Sequence, residues 1–275
     1  MNFQKTLRET VEEYHLMAKK ALGQNFLLNQ DVTDKIIRLS LEKQGLIDFK
    51  KTNVLEIGPG PGGLTRAILS QSPKSLTVVD LDERCIEIMQ NLKEETGAPM
   101  NVLNEDALAL NVEDLNLKPL QIISNLPYNI SVPLLTGWLK NAENIEAMTL
   151  MFQQEVAERI MAPVKTKDYG RLSVLAQLVC DIQKLWTLNP ECFVPAPKIY
   201  STVLLFKPLK QIPPAEVLNK VEKITALAFS QRRKMVRQSL KNWPNFEKMC
   251  ATAGVELTAR AEEITPHQYL KMAQN

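Results

Sequence analysis

The chain is 275 residues long, 45% hydrophobic and 23% charged, a composition that suits a soluble globular protein with one large domain, or one large and one small. Its net charge of +2 is unevenly spread: residues 1–207 hold 22 basic against 25 acidic side chains, and residues 208–275 hold 11 against 6. With no uncharged apolar run of about 18 residues and no apolar signal region at the N-terminus, neither a membrane span nor secretion is expected.

Residues 1–20 read as a polar helix. The stretch from Lys19 to Asn29 has a glycine, amides and an apolar pair but no clear period, and reads as an ordered loop with polar backbone groups on show. Asp31 then caps a helix through Leu41, with Val32, Ile36 and Leu39 on one side. From Asn53 short apolar strands alternate with helices: strand 54–57, helix 63–70, strand 76–80, helix 83–95, then strands 100–103, 120–124 and 147–152, and a helix 153–161. That alternation predicts a parallel sheet with helices on both faces, whose ligand lies at the C-terminal strand ends. After the charged loop 165–171 comes an apolar helix through Cys180. Strands 184–188 and 200–207, joined by a proline-rich segment, predict an antiparallel hairpin that finishes the sheet. Pro208, Pro213 and Pro214 break regular structure, so the expected domains are 1–207, α/β with an N-terminal helical extension, and 208–275, small, all-α and basic.

The loop Gly58-Pro59-Gly60-Pro61-Gly62-Gly63 allows a sharp turn and close approach of backbone to a nucleoside. Asp80, 22 residues beyond Gly58 at the end of the second strand, stands where a carboxylate accepts from ribose hydroxyls. Glu56 before the loop and Glu105-Asp106 after the third strand would repel a pyrophosphate. They suit a nucleoside bearing a cationic sulfonium, which favours S-adenosylmethionine over NAD. Asp106 could accept from an adenine amino group, cap a following helix, or do both. The four cysteines, Cys85, Cys180, Cys192 and Cys250, are far apart. With His15 and His267 the only histidines, no metal-ligand spacing exists, and a reduced cytoplasmic protein without metal is expected.

Straight after the fourth strand come Asn125, Leu126, Pro127 and Tyr128. On their own they suit a strand-ending turn. Beside a methyl donor they suit an amine-bearing ring: Asn125 and the Leu126 carbonyl accept from its N–H groups, Pro127 holds that carbonyl open, and Tyr128 stacks on the ring. In the C-terminal region Arg232, Arg233, Lys234, Arg237 and Lys241 read as a helical basic face able to clamp phosphates, or as a solvated helix face. Lys19, Lys20, Lys165, Lys167 and Arg171 could extend it.

These motifs, together with Gly23-Gln24-Asn25-Phe26-Leu27, Gln154 to Arg159, Tyr169 to Ser173, Phe193 to Lys198 and Arg232 to Lys234, resemble the ribosomal RNA adenine dimethylase family over nearly the whole chain, most closely its small-subunit branch. The resemblance implies a Rossmann-like, S-adenosylmethionine-dependent methyltransferase fold. It implies methylation of N6 of two adjacent adenosines in the 3′-terminal hairpin of 16S rRNA, twice each, by a cytoplasmic monomer during subunit assembly. It further implies that Asn25 and Leu27 meet the methionine end of the cofactor, that Gly58 and Gly60 pass beneath it, that Asp80 holds the ribose and Asp106 the adenine, and that Asn125 lies near the transferred methyl. Phe193 would stack on the target base opposite Tyr128. Two positions depart from the family: Asp80 stands where relatives usually have Glu, and Tyr200 where they tend to have a small acidic residue. A large-subunit RNA dimethylase and a non-catalytic ribosome assembly or transcription factor are alternatives on the same fold.

Overall fold

In a computed structural model, which describes residues 3–16 and 25–274, the chain forms two compact units. One comprises Met1–Leu135, Asn144–Gln154 and Gln183–Lys207; the other comprises Thr136–Glu143, Glu155–Ile182 and Pro208–Asn275. One crossing between them falls at Lys207–Pro208.

The strands in chain order are β1 (Phe26–Leu27), β2 (Asn53–Ile57), β3 (Ser75–Asp80), β4 (Met100–Asn104), β5 (Leu120–Ser124), β6 (Ala147–Gln153), β7 (Cys180–Leu188), β8 (Phe193–Val194) and β9 (Ser201–Pro208). Seven form one sheet in the order β4-β3-β2-β5-β6-β9-β7, parallel from β4 to β6, with β9 antiparallel to β6 and β7 on the edge beside it. Every residue of β2 and β5 is buried, as a parallel strand covered on both faces must be. Strand order reverses between these two strands, and that reversal opens a crevice beyond their C-terminal ends. A separate two-residue ladder pairs β1 with β8, Phe26 opposite Val194 and Leu27 opposite Phe193.

Helix α1 (Leu7–Glu13) starts with a capping box, Thr6 with Glu9. It is shorter than the helix expected over residues 1–20; Lys19, Lys20, Gly23 and Gln24 lie outside the described residues. Helix α2 (Gln30–Gln44) is capped by Asn29, whose side chain accepts from the Asp31 N–H at 2.9 Å, and it ends on left-handed Gly45. Asp31, the expected cap, instead sits in the first turn, where a carboxylate complements the positive end of the helix dipole. Helices α3 (Gly63–Leu69) and α4 (Glu83–Thr96, capped by Asp82) follow β2 and β3. Helix α5 (Ser131–Lys140) was not anticipated. Pro133 and Gly137 argue against a helix, yet Pro133 falls in the first turn, where a missing N–H removes no intrahelical bond.

Arg66 of α3 ties the N-terminal segment to this unit. The residue is 6% exposed. Its guanidinium donates to the Lys5 carbonyl at 2.7 Å and Thr10 Oγ1 at 3.3 Å, and lies 5.0 Å from the Phe3 ring centroid.

The second unit is helical: α6 (Gln154–Met161) runs into it, with α7 (Arg171–Val179), α8 (Ala215–Ser230), α9 (Val236–Ser239), α10 (Phe246–Ala253) and α11 (Pro266–Ala273). Leu218, Val221, Ile224 and Ala228 of α8 are buried, as the 3.6-residue period of an amphipathic helix requires. Phe229 stands 6.1 Å from both the Tyr169 and Tyr269 rings. The two buried tyrosine hydroxyls donate to the Ile264 and Ala261 carbonyls, each at 2.9 Å, so their burial strands no polar group.

Candidate active site

The crevice beyond β2, β3, β4 and β5 is a cavity within the first unit. Asn25, Gly58, Gly60, Asp80, Asp106, Asn125, Leu126, Pro127 and Tyr128 all line it, with Phe26, Leu81, Glu105 and Leu108 among the others. The parallel register brings Gly58 after β2 and Asn125 after β5 to the two sides of the switch point. Among the described residues three carboxylate side chains and no basic one line the cavity.

The glycine turn is held from both ends. The Gly58 N–H donates to the Val79 carbonyl at 2.9 Å, and Asp80 accepts from the Gly60 N–H as well as from Asp82. Burial raises the Asp80 carboxyl above its ordinary pKa, and these N–H donors oppose the rise. Gly60 is left-handed, φ +54°, and a Cβ there would sit 3.0 Å from the Phe26 ring. At Gly63 a Cβ would lie 2.4 Å from the Leu27 carbonyl oxygen. Only glycine lets α3 begin that close to the Asn25–Leu27 segment.

Glu56 does not take the part that its place before the loop suggests. The residue is 1% exposed, its carboxyl accepts from Thr65 Oγ1 at 2.7 Å, and it is not among the residues lining the cavity. Burial, with Asp80 adding to it against the opposing Thr65 bond, raises its pKa to about 8. The side chain is therefore neutral near pH 7, and among the described residues the carboxylates that line the cavity are Asp80, Glu105 and Asp106. Asp106 also caps the turn after it, accepting from the Leu108 N–H at 2.9 Å.

Beyond β5 each side chain has a fixed partner. Asn125 Nδ2 donates to the Asn25 carbonyl at 3.1 Å, which sets the amide flip and leaves Oδ1 as the acceptor. Leu126 is buried and Pro127 packs against Gly58, where a Cβ would lie 3.4 Å from its ring. The Tyr128 hydroxyl is 2.7 Å from Ser201 Oγ, and Ser131 Oγ donates to the Tyr128 carbonyl at 3.0 Å. Burial raises the Tyr128 pKa, so the ring stays a neutral phenol. The result is a half-buried ring held at its hydroxyl end, beside an amide oxygen and a backbone carbonyl.

Two expected site residues lie elsewhere. Phe193 is 2% exposed within the hydrophobic core and Leu27 is 4% exposed; neither lines the cavity. The β1–β8 ladder explains this, since pairing Leu27 with Phe193 turns both side chains into the core. In this arrangement Phe193 offers no open face to a base opposite Tyr128. Conversely, Leu81 and Leu108 line the cavity at 61% and 50% exposure. The signal available for them is their place just past a strand end and close to a carboxylate, Leu81 directly after Asp80 and Leu108 two residues after Asp106, where an exposed leucine has no packing reason to be.

In the second unit the basic residues are not on one helix. Helix α8 ends at Ser230 and α9 covers only 236–239, so Arg232, Arg233 and Lys234 occupy the turn between them and helical spacing does not relate them to Arg237 and Lys241. Arg232 is spent within the protein, donating to the Thr166 carbonyl at 3.0 Å and facing Glu262 at 3.8 Å. Arg233, Lys234, Arg237 and Lys241 are exposed, as are Lys165, Lys167 and Arg171. Among the described residues no cluster of His, Cys, Asp or Glu could hold a metal, the four cysteines are unpaired, and no helix is long and apolar enough to cross a membrane.

A family model described as ribosomal RNA adenine dimethylase matches residues 15–275. The chain is 42% identical over 268 residues to Ribosomal RNA small subunit methyltransferase A of Rhodospirillum rubrum, covering 97% of this chain and 91% of that one. It is 42% identical to the protein of the same name from a Wolbachia of Drosophila simulans, covering 96% of each. Among solved structures it is similar to a dimethyladenosine transferase from Plasmodium falciparum, with a TM-score of 0.72, 24% identity and coverage of 89% and 94%. It is also similar to the 23S rRNA methyltransferase ErmE, with a TM-score of 0.64, 24% identity and coverage of 91% and 98%. At that identity the two structures speak for a shared fold.

Proposed function

The chain belongs to the ribosomal RNA adenine dimethylase family, and from that premise we propose that it transfers methyl groups from S-adenosylmethionine to N6 of two adjacent adenosines near the 3′ end of small-subunit rRNA, giving N6,N6-dimethyladenosine. The observation that carries the reading is the pairing, in one cavity, of a nucleoside pocket lined among the described residues by three carboxylates and no basic side chain with an amide whose acceptor oxygen is fixed.

The residues present fit the cofactor. Asp80 suits ribose hydroxyls, Asp106 suits an adenine amino group, and the exposed Leu81 and Leu108 suit the faces of its ring. A carboxylate lining favours a cationic sulfonium and disfavours a polyphosphate. When bound, S-adenosylmethionine supplies an electrophilic methyl group; the protein supplies position. Asn125 Oδ1 and the Leu126 carbonyl accept the two N–H groups of the target amine, drawing its lone pair out of conjugation with the ring. Tyr128, held by Ser201, lies on the ring face. No strong base is needed, because the nitrogen becomes acidic on alkylation and its proton passes to water. Catalysis on this account is positioning with well-placed acceptors.

Arg233, Lys234, Arg237 and Lys241, in the helical segment 208–275, serve as the phosphate contacts that hold the RNA. The target adenine leaves its stack to reach Tyr128, as in other base-modifying enzymes. The choice of small-subunit RNA rests on the relatives bearing that name, which are 42% identical over 96–97% of the chain. Incubation with labelled cofactor and separated unmethylated subunits tests it. Label in small-subunit RNA supports the reading, and label only in large-subunit RNA overturns it.

A further inference from the structure

Among the described residues Tyr200 is the one aromatic side chain in the exposed class, at 49%. It closes a nearly continuous exposed apolar segment: Val194 is 48% and Ile199 39% exposed, Pro195 and Ala196 are exposed, and the charged residue within the run is exposed Lys198. A large apolar side chain left in water at the end of such a run calls for a partner.

Its place narrows what that partner is. Strand β9 runs antiparallel to β6, so its first residues lie at the same sheet edge as the C-terminal ends of the parallel strands, where the cavity opens. The Tyr200 carbonyl accepts from the Gln154 N–H at 2.9 Å, and the next residue, Ser201, is fully buried and 2.7 Å from the Tyr128 hydroxyl. The backbone carrying Tyr200 is therefore pinned to the ring proposed to hold the target base. An aromatic face on rigid backbone, two residues from a lysine and one residue from the support of the catalytic tyrosine, matches a stacking platform for single-stranded nucleic acid.

We infer that Tyr200 stacks on a nucleotide flanking the methylated adenosine, with Lys198 on the phosphate between them. This rests on the reading above that the substrate is an RNA adenine. An adenosine drawn out of its stack toward Tyr128 exposes the face of its neighbour, and Tyr200 covers that face. Tyr200 is a positioning residue here and touches no reacting atom.

The test compares wild type with Tyr200→Phe, Tyr200→Leu and Tyr200→Ala on unmethylated small subunits, measuring KM for the subunits, kcat, subunit affinity by co-sedimentation and cofactor affinity by calorimetry. Loss of one base stack raises the subunit KM about 5- to 100-fold in the Ala and Leu variants. The Phe variant stays within about twofold of wild type, and cofactor affinity is unchanged in all three. Equal subunit KM and affinity for wild type and Tyr200→Ala overturn the inference while leaving the family reading intact. Wild-type behaviour of Tyr200→Leu overturns stacking in favour of plain apolar contact. Absence of methyl transfer to any ribosomal RNA by the wild type defeats the family reading instead, and co-sedimentation of the same variants still decides whether Tyr200 contacts RNA.

Discussion

The Asn125 side-chain amide donates to the backbone carbonyl of Asn25 at 3.1 Å, joining two segments 100 residues apart in the chain. The contact spends the amide nitrogen on the protein and leaves the oxygen as the acceptor that the proposed reaction uses. Asn125→Ala removes that oxygen, and a lost transition-state hydrogen-bond partner at a site of this kind costs about 100- to 1000-fold in kcat. Asn125→Asp keeps an acceptor but sets a carboxylate against the Asn25 carbonyl, so it displaces the Asn25 segment and weakens cofactor binding as well. Single-turnover methyl transfer and calorimetric cofactor titration separate the two outcomes: Ala affects transfer far more than cofactor affinity, Asp affects both.

Glu56 makes stability depend on pH. Its folded pKa of about 8 lies above the ordinary carboxyl value of 4.5. Below pH 4.5 both folded and unfolded forms hold the proton and nothing is lost. Between 4.5 and about 8 the unfolded chain releases a proton that the fold retains, so stability falls by up to about 1.4 kcal/mol per pH unit. Above pH 8 the loss levels off. Glu56→Gln keeps an acceptor for Thr65 without the titration. Its melting temperature relative to wild type should therefore climb from pH 5 to pH 8, and a difference constant over that range would contradict a neutral buried carboxyl.

Gly63→Ala places a methyl 2.4 Å from the Leu27 carbonyl oxygen, which is backbone and cannot rotate away. Relief requires α3 and the Asn25–Leu27 segment to part, at about 1–3 kcal/mol as for other overpacked sites. Because Asn25 and the glycine turn lie on the two sides of that contact, cofactor affinity falls together with the denaturation midpoint.

The N-terminal segment depends on Arg66. Arg66→Met keeps much of the volume but leaves the Lys5 carbonyl and Thr10 hydroxyl without their donor. Hydrogen bonds to a charged group contribute about 1.5–3 kcal/mol each, and the burial of a cation whose Nε has no partner among the described residues offsets part of that gain. A net loss of about 2 kcal/mol is expected. Limited proteolysis reads it directly: cleavage within residues 3–16 accelerates while the sheet core resists.

Replacing Arg233, Lys234, Arg237 and Lys241 with Ala tests the proposed RNA surface. Each lost phosphate contact reduces the slope of log affinity against log salt by about 0.7–0.9. Arg232→Ala differs, because that side chain already binds Thr166 and faces Glu262; it lowers stability with little change in the salt slope.

The central sheet was legible because fully covered parallel strands leave short, largely apolar runs, as in Leu120–Ser124 where Gln121 alone interrupts Leu120, Ile122 and Ile123, and because glycine and proline mark their ends. Side-chain direction was not. Composition alone does not tell that Glu56 turns inward to Thr65, nor that Phe193 is drawn into the core, since the β1–β8 ladder responsible is two residues long and joins segments 166 residues apart. Helix α5 was hidden by Pro133 and Gly137, which only the position of the helix start makes tolerable. The basic residues from Arg232 to Lys241 follow a helical spacing on paper, but α8 stops at Ser230 and a turn intervenes. Each miss concerns where a chain turns or which way a side chain points, and tertiary packing decides both.

The proposal that this cavity dimethylates adenine N6 in small-subunit RNA is tested most directly by mass mapping of modified nucleotides after reaction of the purified protein with unmethylated small subunits and S-adenosylmethionine. The expected result is N6,N6-dimethyladenosine at two adjacent positions near the 3′ end, absent with Asn125→Ala. Methylation confined to large-subunit RNA, at an atom other than N6, or undiminished in Asn125→Ala would contradict it.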